Sequence, residues 1–268
     1  NVGVQYGLEA LNAGVITKAQ FIDLNRSIGG VDIDANFIAE RTSGDLIAIR
    51  RGYETGRFLS GGGGLKTTPI IDYRAYVDFE KGDPHMRFHS FSFRERLIKA
   101  NGAADNQVLL AESNKYGLFS LNSPVLRGAL DAMDQWVSAL RNLPESPTAA
   151  QVVAAKPAGL TDACFTPSDE KIVEPLVYRG DTACNRLYPP HANPYIAAGS
   201  PVAGDILKCA LKPIAAKDYS VAFTSEEIAQ LRSIFTTGVC DWTKPGVGQK
   251  PLAGQWLSFG PAGHAGGG

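Results

Sequence analysis

Apolar positions along this chain fall into two rhythms. From Pro69 to Val77 they run almost unbroken, rich in β-branched and aromatic residues and entered through Thr67 and Thr68, which predicts a buried strand. From about Ser90 to Ala100 the spacing becomes helical, closed by Asn101 and Gly102. Asn106 to Ala111 predicts a second buried strand. Ser123 and Pro124 then open a strong helix to about 141, with an apolar stripe of Leu126, Leu130, Met133, Val137 and Leu140 and Trp136 beside it. Strand, helix, strand, helix in that order predicts a parallel α/β unit. A full sheet needs more strands than this pattern supplies.

Residues 1 to 64 read as helical. Val4, Leu8 and Leu11 share a face ahead of Gly14; Thr17 and Gln20 form a capping box before Phe21, Ile22 and Ile28; and a third helix starts near Asp45 with Leu46, Ile49 and Tyr53 on one side, ending by Gly56. Such helices suit a cap laid over a sheet's active edge. Asp32-x-Asp34-x-Asn36 begins like a calcium loop, but Phe37 stands where the turn needs Gly and Ser43 where a Glu belongs, so it reads as a turn and helix cap. Gly61 to Gly64 read as a connector, without the Lys-Ser/Thr pair of a phosphate-binding loop. Beyond Pro144, Pro147 and Pro157 the chain is irregular apart from a helix from Ser225 to Ile234, capped by Thr224 with Glu227, and a tail from Gly260 expected to be disordered. The organisation expected is a helical cap segment (1–64), later strands and helices of an α/β core (65–143) and a cysteine-bearing irregular extension (144–268).

Composition adds limits. Of 268 residues 44% are apolar and 20% charged, and the net charge of −1 gives no reason to invoke nucleic acid or an anionic membrane. No apolar run approaches the roughly 18 residues of a spanning helix. All four cysteines, Cys164, Cys184, Cys209 and Cys240, lie in the loop-rich part. They suggest two disulfides and an oxidising compartment, hence a secreted or periplasmic protein; sequential pairing, Cys164 with Cys184 and Cys209 with Cys240, closes the shortest loops. The start, Asn1-Val2-Gly3, looks like that of a mature or cut chain.

The chemistry concentrates in the loop between the first strand and the helix after it, which carries Asp78, Glu80, Asp83 and His85, with His89 following. Open α/β sheets present functional groups at the carboxyl ends of their strands. A serine hydrolase needs a nucleophile, a His to take its proton and a carboxylate to hold that His, and the loop offers the last two. His85-x-x-x-His89 could instead share a metal, though Pro84 disfavours helix across both; paired carboxylates also fit a glycosidase numerically. No G-x-S-x-G elbow occurs, Ser60 before the glycines being the nearest imitation.

The runs NVGVQYGLEALNAG, TTPIIDYRAYVD, DPHMRFHSFSFRERL, CNRLYPPH, DILKCALKP and GVCDW resemble the carboxyl-terminal part of a secreted bacterial α/β-hydrolase-type family labelled mainly as a domain of unknown function. The resemblance spans nearly the whole chain. It implies the later part of a hydrolase-like sheet, with a β-rich domain and the serine elbow on an earlier segment of the same precursor. In the general plan the acid follows the strand before last, a role Asp78 suits, with Asp83 its rival; the loop from Glu112 to Gly117 lacks the His the plan puts there. His85 is then favoured as base, His89 second, with His191 able to reach in from the extension. The function expected is ester hydrolysis, on a small-molecule or polymer ester or an amide, without cofactor or metal. A non-catalytic extracellular binding or structural module is the alternative.

Overall fold

A computed structural model describes residues 1–79 and 83–254, which divide into two units, one formed by Asn1–Phe58 with the chain from Ala192 onward, the other by Leu59–His191. Glu80 and the tail from Gly260 lie outside the described residues.

The first unit opens with α1 (Leu8–Asn12) and α2 (Lys18–Ser27), the latter started by the Thr17–Gln20 capping box. Asp32 makes a turn, as the sequence suggests, its carboxylate accepting from the backbone of Asp34 and Asn36 at 2.9 Å each. The turn belongs to a hairpin, however, and caps no helix: β1 (Gly30–Val31) pairs antiparallel with β2 (Phe37–Ile38). Two-residue strands carry no readable period, so a helical reading of residues 1–64 misses them. Asp45 caps α3 (Leu46–Glu54), which buries Ile49 and Tyr53. Leu11, Phe21 and Ile22 pack with Ile228, Leu231, Phe235 and Val239 from the far end of the chain. These helices thus share a core with the cysteine-bearing segment.

The second unit holds the parallel unit. In it β3 (Ile70–Tyr76) is followed by α4 (Phe88–Asn101), β4 (Gln107–Ser113), α5 (Pro124–Leu140), α6 (Ala149–Ala154), β5 (Ala163–Phe165), β6 (Lys171–Val173) and α7 (Ala183–Leu187). The sheet order is β3-β4-β5-β6. β3 and β4 run parallel in register from Ile70 opposite Gln107 to Tyr76 opposite Ser113, β5 adds a parallel pair and β6 closes antiparallel. The last two strands are the ones the sequence pattern lacks, three residues each in a stretch that reads as irregular. Alternation along β3 sends Tyr73 and Ala75 into the core with Val125, Ala129 and Trp136 of α5, and Asp72 and Arg74 towards Ser90 of α4.

The buried face of α5 runs through Val125, Ala129 and Trp136, with Leu126, Ala132 and Leu140 alongside, and Leu130 is left 52% exposed. Among the described residues Trp136 is the largest fully buried side chain, and it donates its ring N–H to the Val152 carbonyl at 2.8 Å, so the helix turns to bury it. Gly61 is more than a connector. A Cβ there would lie 2.5 Å from the Arg96 backbone, so its glycine lets the chain seat directly on α4.

Returning to the first unit, α8 (Pro194–Ala197), β7 (Ala210–Lys212), α9 (Ser225–Ile234) and β8 (Val239–Asp241) complete the described elements, α9 carrying the expected Thr224–Glu227 capping box. The disulfides are Cys164–Cys184 and Cys209–Cys240, the sequential pairing. No helix among the described residues is long and apolar enough to cross a membrane.

Candidate active site

The connection from β3 to α4 carries Asp78 and Asp83, and these two carboxylates meet opposite surroundings. Asp78 is 2% exposed. Its Oδ1 accepts the backbone N–H of Arg87 at 2.7 Å, which closes the loop, and its Oδ2 accepts the backbone N–H of His191 at 3.1 Å. The Tyr76 hydroxyl, set by the last residue of β3, lies within bonding distance of the Asp78 carbonyl at 2.8 Å and the Pro189 carbonyl at 2.9 Å. Burial, and then the Asp78 charge, push the Tyr76 phenol up from its ordinary value.

Asp83, by contrast, is partly exposed. Its Oδ1 accepts both the backbone N–H of His85 at 2.8 Å and the ring Nδ1 at 2.7 Å. Since a carboxylate can only accept, Nδ1 must carry the proton, and this leaves Nε2 with its lone pair outward. Among the described residues Nε2 has no hydrogen-bond partner. The two donors, backbone N–H first, hold the Asp83 carboxyl below its usual range. The pair is open to solvent, with the His85 side chain 53% exposed.

His89 goes elsewhere. Its Nε2 is 3.0 Å from the Pro84 carbonyl and its ring lies against Phe88, centroids 3.9 Å apart. Partial burial of the ring, with repulsion from Arg74 and Arg96, lowers its pKa despite that carbonyl. The shared-metal arrangement of His85 and His89 is not formed, since each ring has a different partner, and among the described residues no cluster of three or more metal-ligating side chains occurs. Among the described residues His191 meets the site through its backbone N–H.

Three groups here are not singled out by sequence. Arg87, 2% exposed, donates Nη1 to the Tyr188 carbonyl and stacks its guanidinium 5.3 Å from the Phe91 ring; burial lowers its pKa and Asp78 opposes the shift. Tyr188 is buried against Tyr76, centroids 5.2 Å apart, with its hydroxyl on the Phe165 carbonyl. The neighbouring strand end buries Glu112, whose Oε1 accepts from the hydroxyls of Tyr73 and Ser123. Burial, then Glu112, raises the Tyr73 phenol. The runs DPHMRFHSFSFRERL and CNRLYPPH contain Arg87 and Tyr188 without showing what either side chain holds.

An exposed acid–imidazole pair at the carboxyl end of a parallel strand can accept and return a proton. The family model that matches this chain, over residues 1–251, describes a tannase-like family of unknown function. The chain belongs to that family. No curated protein and no solved structure matches it. Membership in a tannase-like family points to hydrolase chemistry in the broad sense and is consistent with a domain of unknown function.

Proposed function

We propose that this chain carries the base and acid of a serine-type ester hydrolase, with His85 as general base and Asp83 as the carboxylate that orients it. In this reading His85 Nε2 takes the proton of a serine hydroxyl as the oxygen attacks an ester carbonyl, then gives it to the departing alcohol. Asp83 keeps the ring in the Nδ1–H form and stabilises the imidazolium. The observation that carries the reading is the 2.7 Å contact from Asp83 Oδ1 to His85 Nδ1, on a loop leaving the carboxyl end of a parallel strand. Asp78, the sequence-favoured acid, is assigned to shaping the loop, because both its oxygens are engaged by backbone N–H groups.

The nucleophile is assigned to an earlier segment of the same precursor, outside these 268 residues. Two features support this. The sequence holds no G-x-S-x-G elbow, and among the described residues β3 pairs only with β4, so its other edge can take a further parallel strand of an α/β-hydrolase-like sheet. Two disulfides support a secreted or periplasmic setting. The substrate is a small-molecule or polymer ester.

The test is intact-mass analysis of the purified protein before and after a fluorophosphonate probe. A second polypeptide that gains the probe's mass, and that is no longer labelled when His85→Ala is introduced into a chain of unchanged circular dichroism, is the expected result. If only this chain is present and nothing is labelled, the serine mechanism loses its main support, and the material is either an inactive fragment or a binding or structural module.

A further inference from the structure

We infer that Arg87 is a positioning residue that braces the acid–base loop against a disulfide-tethered strut, residues 184–191; this rests on the role proposed for His85. The loop bearing Asp83 and His85 begins at Asp78 and ends at Arg87, and both ends grip the same stretch of chain. Asp78 Oδ2 takes the His191 N–H at 3.1 Å, and the Arg87 guanidinium reaches the Tyr188 carbonyl. That stretch is itself fixed. Tyr188 N–H donates to the Cys184 carbonyl at 2.8 Å, and Cys184 is bonded through sulfur to Cys164 in β5, a central part of the sheet. A continuous path therefore runs from the sheet through the disulfide, Tyr188 and Arg87 to the loop.

A simple packing role does not account for the guanidinium. Arg87 is 2% exposed, and its Nη2 is buried without a hydrogen-bond partner among the described residues. Burying a charged donor unpaired costs free energy that an apolar side chain of similar volume would avoid. Its Nη1 bond does something an apolar residue could not, namely fix the spacing between the end of the loop and Tyr188. The Asp78 bond to Arg87 uses only the backbone N–H, so removing the side chain leaves the loop closed while removing the brace.

The experiment is nitrogen-15 NMR of the imidazoles, of which the chain has four, in the chain together with the second polypeptide that carries the probe-labelled serine, read together with ester turnover. Wild type is expected to show His85 fixed in the Nδ1–H tautomer. Arg87→Met is expected to give a mixture of tautomers at His85 and to lower kcat about 10²-fold, the scale of an ångström-level misplacement, with a smaller change in KM. Arg87→Lys, which restores one donor, is expected to recover part of both. The double variant Cys164→Ser with Cys184→Ser should disturb the His85 tautomer in the same sense with Arg87 intact. If Arg87→Met keeps the wild-type near-ultraviolet dichroism and the wild-type His85 tautomer, the inference is overturned; if it does not fold, Arg87→Lys is read by the same signature. Absence of ester turnover in wild type would count against the hydrolase reading alone, because the tautomer measurement does not depend on it.

Discussion

Asp78 and Asp83 leave the same strand five residues apart and end in opposite environments. Asp78 is enclosed and spends both oxygens on backbone N–H groups. Asp83 is partly exposed and, among the described residues, gives one oxygen to His85. A carboxylate that holds backbone cannot readily change partners during a reaction, whereas one that holds only a neighbouring imidazole can respond to a change of charge on that ring. In the proposed reading burial thus separates the anchor, Asp78, from the acid, Asp83, although in sequence Asp78, placed at the strand end, is the more conventional acid.

Substitution should break the comparison cleanly. Asp78→Ala leaves the Arg87 charge buried without its neighbouring anion and opens the loop, and is expected to cost about 3 to 5 kcal/mol in chemical denaturation. Asp83→Asn is expected to leave the denaturation midpoint where it was while reducing turnover about 10⁴-fold, through loss of the tautomer that His85 needs. Because the Asp83 carboxyl is held below its ordinary value, it stays ionised to lower pH than an ordinary carboxylate, so any acid limb of turnover that reports Asp83 should lie below that of an ordinary carboxylate. Should Asp83→Asn unfold the chain and Asp78→Ala spare it, the two assignments would have to be exchanged.

The loop after β4 extends the comparison to the neighbouring strand end. Phe119 is 65% exposed and sits at φ 53°, in the left-handed region that a bulky side chain rarely adopts. Its ring centroid is 6.3 Å from that of Tyr73, and the chain around it is tied by Ser123 N–H to the Ser120 carbonyl at 3.0 Å. Phe119→Gly relieves the strain and forfeits little burial, so a gain of about 1 kcal/mol in thermal or chemical denaturation is expected. A loss of stability on that scale would mean that the ring contact outweighs the strained backbone.

How much of this could be seen in the sequence depends on the length over which a signal repeats. Strands and helices of seven residues or more, such as β3, β4, α4 and α5, announce themselves through period and caps, and the disulfide pairing follows from loop length. The three-residue strands β5 and β6 do not, because Ala163-Cys164-Phe165 offers no alternation to count. At the site, Asp83 and His85 are two residues apart, so their pairing is a local event within reach of sequence reasoning. The Arg87 bond to Tyr188 spans 101 positions. Nothing local to Arg87 hints at it, and a buried guanidinium at a helix start looks in sequence like any surface arginine.

The smallest effect concerns His89, the histidine that the proposed reading leaves out. His89 has its pKa lowered by partial burial of the ring, so below the ordinary histidine value the unfolded chain binds a proton that the folded chain resists. Its contribution to stability is present above that unfolded value of about 6.5 and is lost as pH falls through the depressed one. The ring is still largely open to solvent, which screens the effect and keeps it small. His89→Gln is therefore expected to narrow, slightly, the difference in unfolding free energy between neutral and mildly acidic solution while leaving the His85 tautomer and turnover unchanged. A variant that loses turnover instead would return His89 to the acid–base machinery and weaken the case that Asp83 has already chosen its partner.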